Sequence, residues 1–136
     1  DHAPHTMEEK MNPYTKAPSG GPMVQHALSV LLECHLQGKI SIEKIVEKMA
    51  HNPAKLFDID RRGFVREGYF ADLVLVDMDA PYTVSKENIL YKCGWSPLEG
   101  QRFRSRVTQS IVNGVLTYDN GVFSSESAAM AVKFDR

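Results

Sequence analysis

Cysteine, tryptophan, long apolar runs and an excess of charge of either sign are all scarce in this sequence of 136 residues. Its only cysteines, Cys34 and Cys93, lie far apart and form no Cys-x-x-Cys pair, which argues against a disulfide framework and indicates reduced thiols in the cytoplasm. No apolar run approaches the ~20 residues that cross a bilayer, so no membrane partner is expected. The formal net charge of −1 likewise speaks against a nucleic-acid partner.

The basic residues are scattered except for one cluster, formed by Arg102, Arg104 and Arg106. Their alternation at strand spacing favours a solvated or ion-paired strand face over a nucleic-acid site, given the nearly neutral chain. Hydrophobic residues make up 43% and charged residues 24% of the sequence, as in an ordinary globular protein.

The first part of the chain is predicted to be helical after an initial loop. Residues 1–22 hold too many prolines and glycines for a regular element. Leucines at helical spacing after Pro22 predict a first helix, which Gly38 would end as a C-cap. Ser41 is placed to cap a second helix, which Asn52-Pro53 should break before a short third helical turn.

The second part of the chain is predicted to be mainly β, with the boundary near residue 58. The continuous apolar run within residues 71–77 predicts a strand buried on both faces. Asn113-Gly114 is the strongest hairpin signal, and Asn120-Gly121 indicates another turn. The predicted strands are residues 63–68, 71–77, 105–112, 115–118 and 122–123.

The densest group of reactive side chains is Asp1-His2-Ala3-Pro4-His5. Asp and neutral His are ordinary ligands of zinc, and a carboxylate beside a metal-bound water can act as a general base. A polar loop whose histidines only cap backbone groups fits the same residues equally well. The pattern alone leaves both interpretations open.

A second candidate site is the loop Ala17-Pro18-Ser19-Gly20-Gly21-Pro22, which precedes the first predicted helix. Backbone N–H groups at a glycine-rich helix N-terminus can bind an anion such as a substrate carboxylate. From composition alone, a flexible turn that starts the helix is the better-supported interpretation.

These motifs together resemble the dihydroorotase family of the amidohydrolase superfamily. The family's second signature, Asp-x-Ala-Pro-His followed after four residues by Lys, stands here as Asp1, Ala3, Pro4, His5 and Lys10. The resemblance runs through nearly the whole chain in the right order. Its further segments are Asn52-Pro53-Ala54, the run from Ala71 to Asp77, and Trp95 to Gly100, where Leu98 replaces the usual Phe.

The resemblance implies an α/β fold, namely the C-terminal fragment of a (β/α)₈ TIM barrel with strands of an accompanying small β-sandwich. Residues 1–57 would form the end of the barrel, with its last active-site loop and closing helices. Residues 58–136 would form the β-sandwich portion with connecting loops. The natural protein is expected to continue upstream, and this segment is expected to be stable only with that missing part of the barrel.

The resemblance also implies an enzyme, a dihydroorotase of de novo pyrimidine biosynthesis. It would catalyse the zinc-dependent, reversible hydrolysis of the cyclic amide of dihydroorotate to N-carbamoyl-L-aspartate. Asp1 would exchange the proton and could also contact the metal, while His5, with backbone N–H groups near Ser19 and Gly20, would bind the substrate carboxylate. The full-length enzyme would hold one or two zinc ions and could form a homodimer. This chain lacks the other metal ligands, so it would be inactive alone.

Two alternatives remain open from the sequence. One is another cyclic amidohydrolase, such as a dihydropyrimidinase (hydantoinase) or allantoinase, although those relatives usually lack the Ala-Pro-His after the Asp. The other is a non-catalytic, dihydroorotase-like structural partner, against which the intact motif argues. The remaining histidines, His2, His26, His35 and His51, are expected to have roles in loop structure, packing or the surface.

Overall fold

A computed structural model describes residues 1–135 of the chain. Its helical elements precede its strands, as the sequence predicts. The helices are α1 (Met7–Lys10), α2 (Ala27–Leu36), α3 (Ile42–Val46), a π-helical segment (Glu47–His51) and α4 (Asn52–Leu56). The strands are β1 (Leu73–Asp77), β2 (Tyr82–Thr83), β3 (Arg102–Phe103), β4 (Arg106–Val112), β5 (Val115–Asp119) and β6 (Val122–Phe123).

Helix α1 lies inside the stretch predicted to be a loop, so that prediction is wrong for Met7–Lys10. The cause is a capping box, in which the Thr6 hydroxyl accepts from the backbone N–H of Glu9 at 3.2 Å and the Glu9 carboxylate accepts from the backbone N–H of Thr6 at 2.8 Å. Such a box satisfies two helix-terminal donors at once and makes a single turn stable. The Thr-x-x-Glu pattern was present in the sequence.

Helix α2 starts at Ala27, later than the expected start at Pro22, and ends where it was predicted to end. Gly38 has a φ of 71°, and its N–H donates to the carbonyl of His35 at 2.8 Å. The next N–H, of Lys39, donates to the carbonyl of Cys34 at 3.0 Å. These two bonds form a Schellman motif, which confirms the glycine C-cap.

Residues 42–56 are helical throughout, so the predicted break at Asn52-Pro53 is wrong. Ser41 caps the start as expected, its hydroxyl accepting from the N–H of Lys44 at 3.2 Å. The π-helical segment precedes the proline, and the N–H of Asn52 donates to the carbonyl of Glu47, five residues back. Pro53 thus lies in the first turn of α4, where the lack of a backbone N–H costs the helix little stability.

Strands β1, β4, β5 and β6 form one antiparallel sheet in the order β1-β4-β5-β6. Both Asn-Gly turns are confirmed, since each residue pair has positive φ, 50° and 83° at Asn113-Gly114 and 47° and 98° at Asn120-Gly121. The prediction that β1 is buried on both faces is wrong, because Val74 is 55% and Leu75 44% exposed.

The predicted strand at residues 63–68 is also wrong, because this stretch forms turns and bends. The Phe64 ring stacks on the imidazole of His51 with centroids 4.2 Å apart, and Tyr69 meets Phe64 edge-on at 6.3 Å. Gly63 and Gly68 both have positive φ, 78° and 80°. Aromatic packing against the helical part therefore replaces sheet pairing here.

The sequence did not predict the two-stranded sheet of β2 and β3, which packs beside α2. Tyr82 pairs with Phe103 in this sheet, and the Tyr82 hydroxyl lies 3.0 Å from the Ser29 hydroxyl of α2. Arg104, directly after β3, forms an ion pair with Glu33 of α2 at 2.8 Å. The ion-paired interpretation is therefore confirmed for Arg104, although the three arginines do not share one strand.

The tight core lies between α2 and the segment around β2 and β3. Its buried side chains include Leu32, Val84, Phe103, Tyr91 and His26, with His26 only 1% exposed. No helix within residues 1–135 is long and apolar enough to cross a membrane.

Burial lowers the pKa of His26 below its usual 6.5, so this imidazole is neutral in the folded protein. The hydroxyl of Tyr91 accepts from the N–H of Gln25, and the hydroxyl of Ser96 accepts from the N–H of Leu98. Each hydroxyl therefore has its own proton free to donate to Nδ1 of His26, at 3.3 and 3.4 Å.

Stability is therefore expected to fall as the pH drops. Protonation of His26 favours the unfolded state, because the unfolded pKa is the higher one, so its contribution is full above about pH 6.5 and is lost below it. The free energy of unfolding of the full-length protein, measured at about pH 7.5 and about pH 5.5, should drop less in His26→Gln than in the unsubstituted protein. An equal drop in both would contradict this assignment.

Candidate active site

The segment Asp1-His2-Ala3-Pro4-His5 is a compact turn. The N–H of His2 donates to Oδ1 of Asp1 at 2.8 Å, and the N–H of His5 donates to the carbonyl of Ala3 at 2.9 Å, closing the chain around Pro4. The ring of His2 lies 5.4 Å from that of Tyr91 and makes no hydrogen bond within the described residues. The turn leaves the Asp1 side chain exposed, which suits a group that must meet a ligand.

The glycine loop lies directly against this turn. The N–H of Ala3 donates to the carbonyl of Gly21 at 3.0 Å. A Cβ built on Gly20 would lie 2.6 Å from Cβ of Ala3 and 3.9 Å from Oδ2 of Asp1, and Gly20 has a φ of 83°. Only glycine allows this approach, because a side chain would collide with Ala3. The structure thus brings Asp1 and Gly20 together, and the roles that the family resemblance implies for them stay predictions.

Three consecutive backbone donors of the loop are free. Within residues 1–135, the N–H groups of Ser19, Gly20 and Gly21 donate no hydrogen bond. Free N–H groups in a row attract an anion. The loop is not at a helix N-terminus, however, because α2 starts only at Ala27, so that part of the sequence argument is wrong.

His5 is held through its backbone and lies near an acidic side chain. Its carbonyl accepts from Nε1 of Trp95 at 2.8 Å. Its Nδ1 lies 3.8 Å from Oε2 of Glu9, and the imidazole remains partly exposed. Hydrogen bonds from Thr6, first its backbone N–H and then its hydroxyl, lower the pKa of Glu9, which keeps this carboxylate charged. The partly exposed imidazole can donate a ring N–H to an anionic ligand.

Trp95 contacts both the Asp1–His5 turn and the glycine loop, and the sequence analysis assigned it no role. Besides its bond to His5, its ring would lie 3.5 Å from a Cβ on Gly21. Its place directly before Ser96-Pro97 was the only signal in the sequence. A tryptophan that donates its N–H and packs its ring can fix two backbone segments relative to each other.

Gln25 and Tyr91 are further residues that sequence reasoning missed. The amide of Gln25 donates to the carbonyl of Asn88 at 2.7 Å and accepts from the N–H of Leu90 at 2.9 Å, which fastens the segment before Tyr91.

A cleft of about 490 Å³ opens beside the Asp1 turn. It is lined by His2, Pro4, Val24, Gln25, Leu90, Tyr91 and Lys92.

No group of three or more His, Cys, Asp or Glu side chains within residues 1–135 could hold a metal ion. The described residues therefore do not by themselves fit a metal centre, which takes three protein ligands or more. The histidines of the helical part have structural roles, as predicted: Nδ1 of His35 bonds the carbonyl of Ile40 at 2.9 Å, and His51 stacks on Phe64.

Comparison with known proteins identifies the family to which this chain is similar. Residues 16–117 match the Amidohydrolase family. A dihydroorotase of Pyrococcus furiosus is 39% identical over 84% of this chain and 26% of that protein, and a dihydroorotase of Pyrococcus horikoshii is 36% identical over 98% and 31%. A solved D-hydantoinase (dihydropyrimidinase) from Thermus sp. has a TM-score of 0.85 at 26% identity, over 93% of this chain and 29% of that one. The chain spans between a quarter and a third of the length of these relatives.

Proposed function

The chain belongs to the amidohydrolase family and has part of that family's fold, and from this premise we propose that it supplies one side of the active site of a dihydroorotase. The complete enzyme would reversibly hydrolyse the cyclic amide of dihydroorotate to N-carbamoyl-L-aspartate in de novo pyrimidine biosynthesis. One observation carries the proposal: the exposed carboxylate of Asp1 lies beside a loop with three free N–H groups. A proton-exchanging group next to an anion site suits a cyclic amide that bears a carboxylate.

The residues of this chain would divide the work between proton transfer and binding. Asp1 would take a proton from the attacking water and give it to the ring nitrogen as the amide bond breaks. His5 and the N–H groups of Ser19 and Gly20 would hold the substrate carboxylate. Fixing the substrate at its carboxylate would orient the ring, and orientation supplies a large part of the rate enhancement of enzymes.

The metal of this enzyme, one or two zinc ions, is proposed from the family resemblance. When bound, zinc polarises a carbonyl and lowers the pKa of a bound water. Because the described residues offer only Asp1 as a ligand, the other ligands would come from a longer polypeptide.

We also propose that residues 1–57 close a barrel that the longer polypeptide completes, and that residues 58–136 form part of a β-sandwich. The exposed apolar side chains on β1, Val74 and Leu75, support this, because such a surface normally packs against another element.

A cytoplasmic location is supported by the free thiols of Cys34 and Cys93. A homodimer is part of the same proposal.

A second cyclic amidohydrolase activity is favoured by one observation. The Thermus structure that shares this fold at a TM-score of 0.85 is a D-hydantoinase (dihydropyrimidinase). The free donors near Asp1 favour dihydroorotate over such a substrate, because dihydrouracil has no carboxylate to occupy them.

A substrate comparison tests the proposal. The full-length protein is expected to open the ring of dihydroorotate and to leave dihydrouracil and allantoin intact, and a chelator should remove the activity. Ring opening can be followed by the loss of ultraviolet absorbance of the cyclic amide. Turnover of dihydrouracil in place of dihydroorotate would establish the second activity, and a folded, metal-loaded protein that opens none of the three rings would point to a non-catalytic partner.

A further inference from the structure

We propose that Lys10 is a positioning residue, which turns the free N–H groups of Ser19 and Gly21 in the glycine loop towards the ligand. This inference rests on the proposed function, because the ligand is the carboxylate of that substrate. Lys10 would not touch the substrate. It would act through the backbone of residues 18–21.

The geometry of the loop carries this inference. Nζ of Lys10 donates to the carbonyl of Pro18 at 2.6 Å and to the carbonyl of Gly20 at 2.9 Å. In a trans peptide the N–H points away from the carbonyl of the same unit. Binding these two carbonyls therefore directs the N–H groups of Ser19 and Gly21 away from the ammonium group.

The ammonium group of Lys10 donates to these carbonyls and not to a carboxylate of the described residues. Within residues 1–135, Lys10 forms no ion pair with a carboxylate. Hydrogen bonds from a charged donor are about twice as strong as those from a neutral one, so two of them can hold a glycine-rich loop that would otherwise sample many conformations. The positive ends of the peptide dipoles then face the side opposite Lys10, where an anion is attracted.

The short helix α1 explains how Lys10 reaches the loop. Thr6 and Glu9 fix the first turn through their capping box, and Lys10 is the last residue of that turn. His5 directly precedes Thr6, so α1 links a ligand-binding imidazole to the lysine that shapes the loop. A separate bond, from the N–H of Ala3 to the carbonyl of Gly21, holds the far side of the loop.

The test compares Lys10→Met with Lys10→Arg in the full-length, metal-loaded protein. Lys10→Met should raise the KM for dihydroorotate by about tenfold to a hundredfold, because the loop donors lose their direction. Its kcat should change by less than about threefold, because Asp1 is untouched. Lys10→Arg should recover part of the loss, since a guanidinium also donates to carbonyls.

Two controls separate positioning from general damage. Dihydrouracil lacks the carboxylate, so its Ki as a competitive inhibitor of dihydroorotate ring opening should be the same in Lys10→Met and in the unsubstituted protein. Lys16, also in the polar stretch before the loop, is exposed and makes no side-chain bond within residues 1–135, so Lys16→Met should keep the KM of the unsubstituted protein.

The outcomes distinguish this inference from the proposed function. An unchanged KM in Lys10→Met, or an equal loss for dihydroorotate and dihydrouracil, overturns the role of Lys10 while the dihydroorotase activity stands. An unsubstituted protein that neither binds nor opens dihydroorotate ends the proposed function, and the role of Lys10 in binding that carboxylate ends with it.

Discussion

Asp1→Asn in the full-length protein is expected to lower kcat for dihydroorotate by about a hundredfold to ten-thousandfold, the range in which a general acid–base group contributes. An amide has nearly the same shape as the carboxylate but cannot take up the proton of the attacking water. Its oxygen can still accept from the N–H of His2, as Oδ1 of Asp1 does at 2.8 Å. The variant therefore removes the chemistry and leaves the turn in place.

The measurement is steady-state ring opening of dihydroorotate, with KM and kcat determined separately. KM should change little, because the proposed carboxylate site uses His5 and the loop rather than Asp1. Asp79→Asn is the matched control, since Asp79 is exposed and its side chain makes no hydrogen bond within the described part of the chain. If Asp1→Asn keeps activity within about threefold of the unsubstituted protein, Asp1 is not the proton-exchanging group.

The features that could be predicted from the sequence are those decided by a few neighbouring residues. The Asn-Gly turns, the glycine that ends α2 and the serine that caps α3 each depend on one backbone conformation or one side-chain bond. The Asn113-Gly114 turn also fixes the pairing of β4 with β5, which is why both strands were predicted nearly to the residue. The missed helix α1 belongs to the same class, because its capping box was readable.

The wrong or missing elements depend on contacts between distant residues. Strands β2 and β3 have only two residues each and pair across a long intervening segment, so neither carries a pattern of its own. Residues 63–68 have strand-like composition, but the stacking of Phe64 on His51 decides their conformation. The helix passes Pro53 because a wider turn precedes it, which composition does not indicate.

The candidate site divides in the same way. The residue types of Asp1 and His5 predict proton transfer and anion binding, and the glycines predict a loop that admits a ligand. These roles stay predictions. The contacts that hold these motifs in place could not be predicted, because Trp95 binds the carbonyl of His5 from 90 positions away in the sequence. Local motifs thus suffice to predict chemical roles, whereas the residues that hold these motifs in place are dispersed along the chain.

Gly63→Ala should be strongly destabilising, by about 2–5 kcal/mol, when strain and overpacking are added. Gly63 has a φ of 78°, a conformation that costs a residue with a Cβ about 1–2 kcal/mol. A Cβ at this position would also lie 2.5 Å from Cβ of Ala54 and 2.8 Å from the carbonyl oxygen of Ala50. Both neighbours belong to the helical stretch, so neither can move without displacing the π-helical segment or α4.

Gly68→Ala separates these two contributions. Gly68 has a φ of 80°, but a Cβ there would meet nothing within 4 Å. Gly68→Ala should therefore lower the free energy of unfolding by the conformational cost alone, about 1–2 kcal/mol. The difference between the two variants should then measure the cost of the clash at Gly63. Urea unfolding of both full-length variants gives the comparison. Equal losses would mean that the 63–68 segment moves away from the helix at little cost, and that the His51–Phe64 stack does not anchor the β part to the helical part.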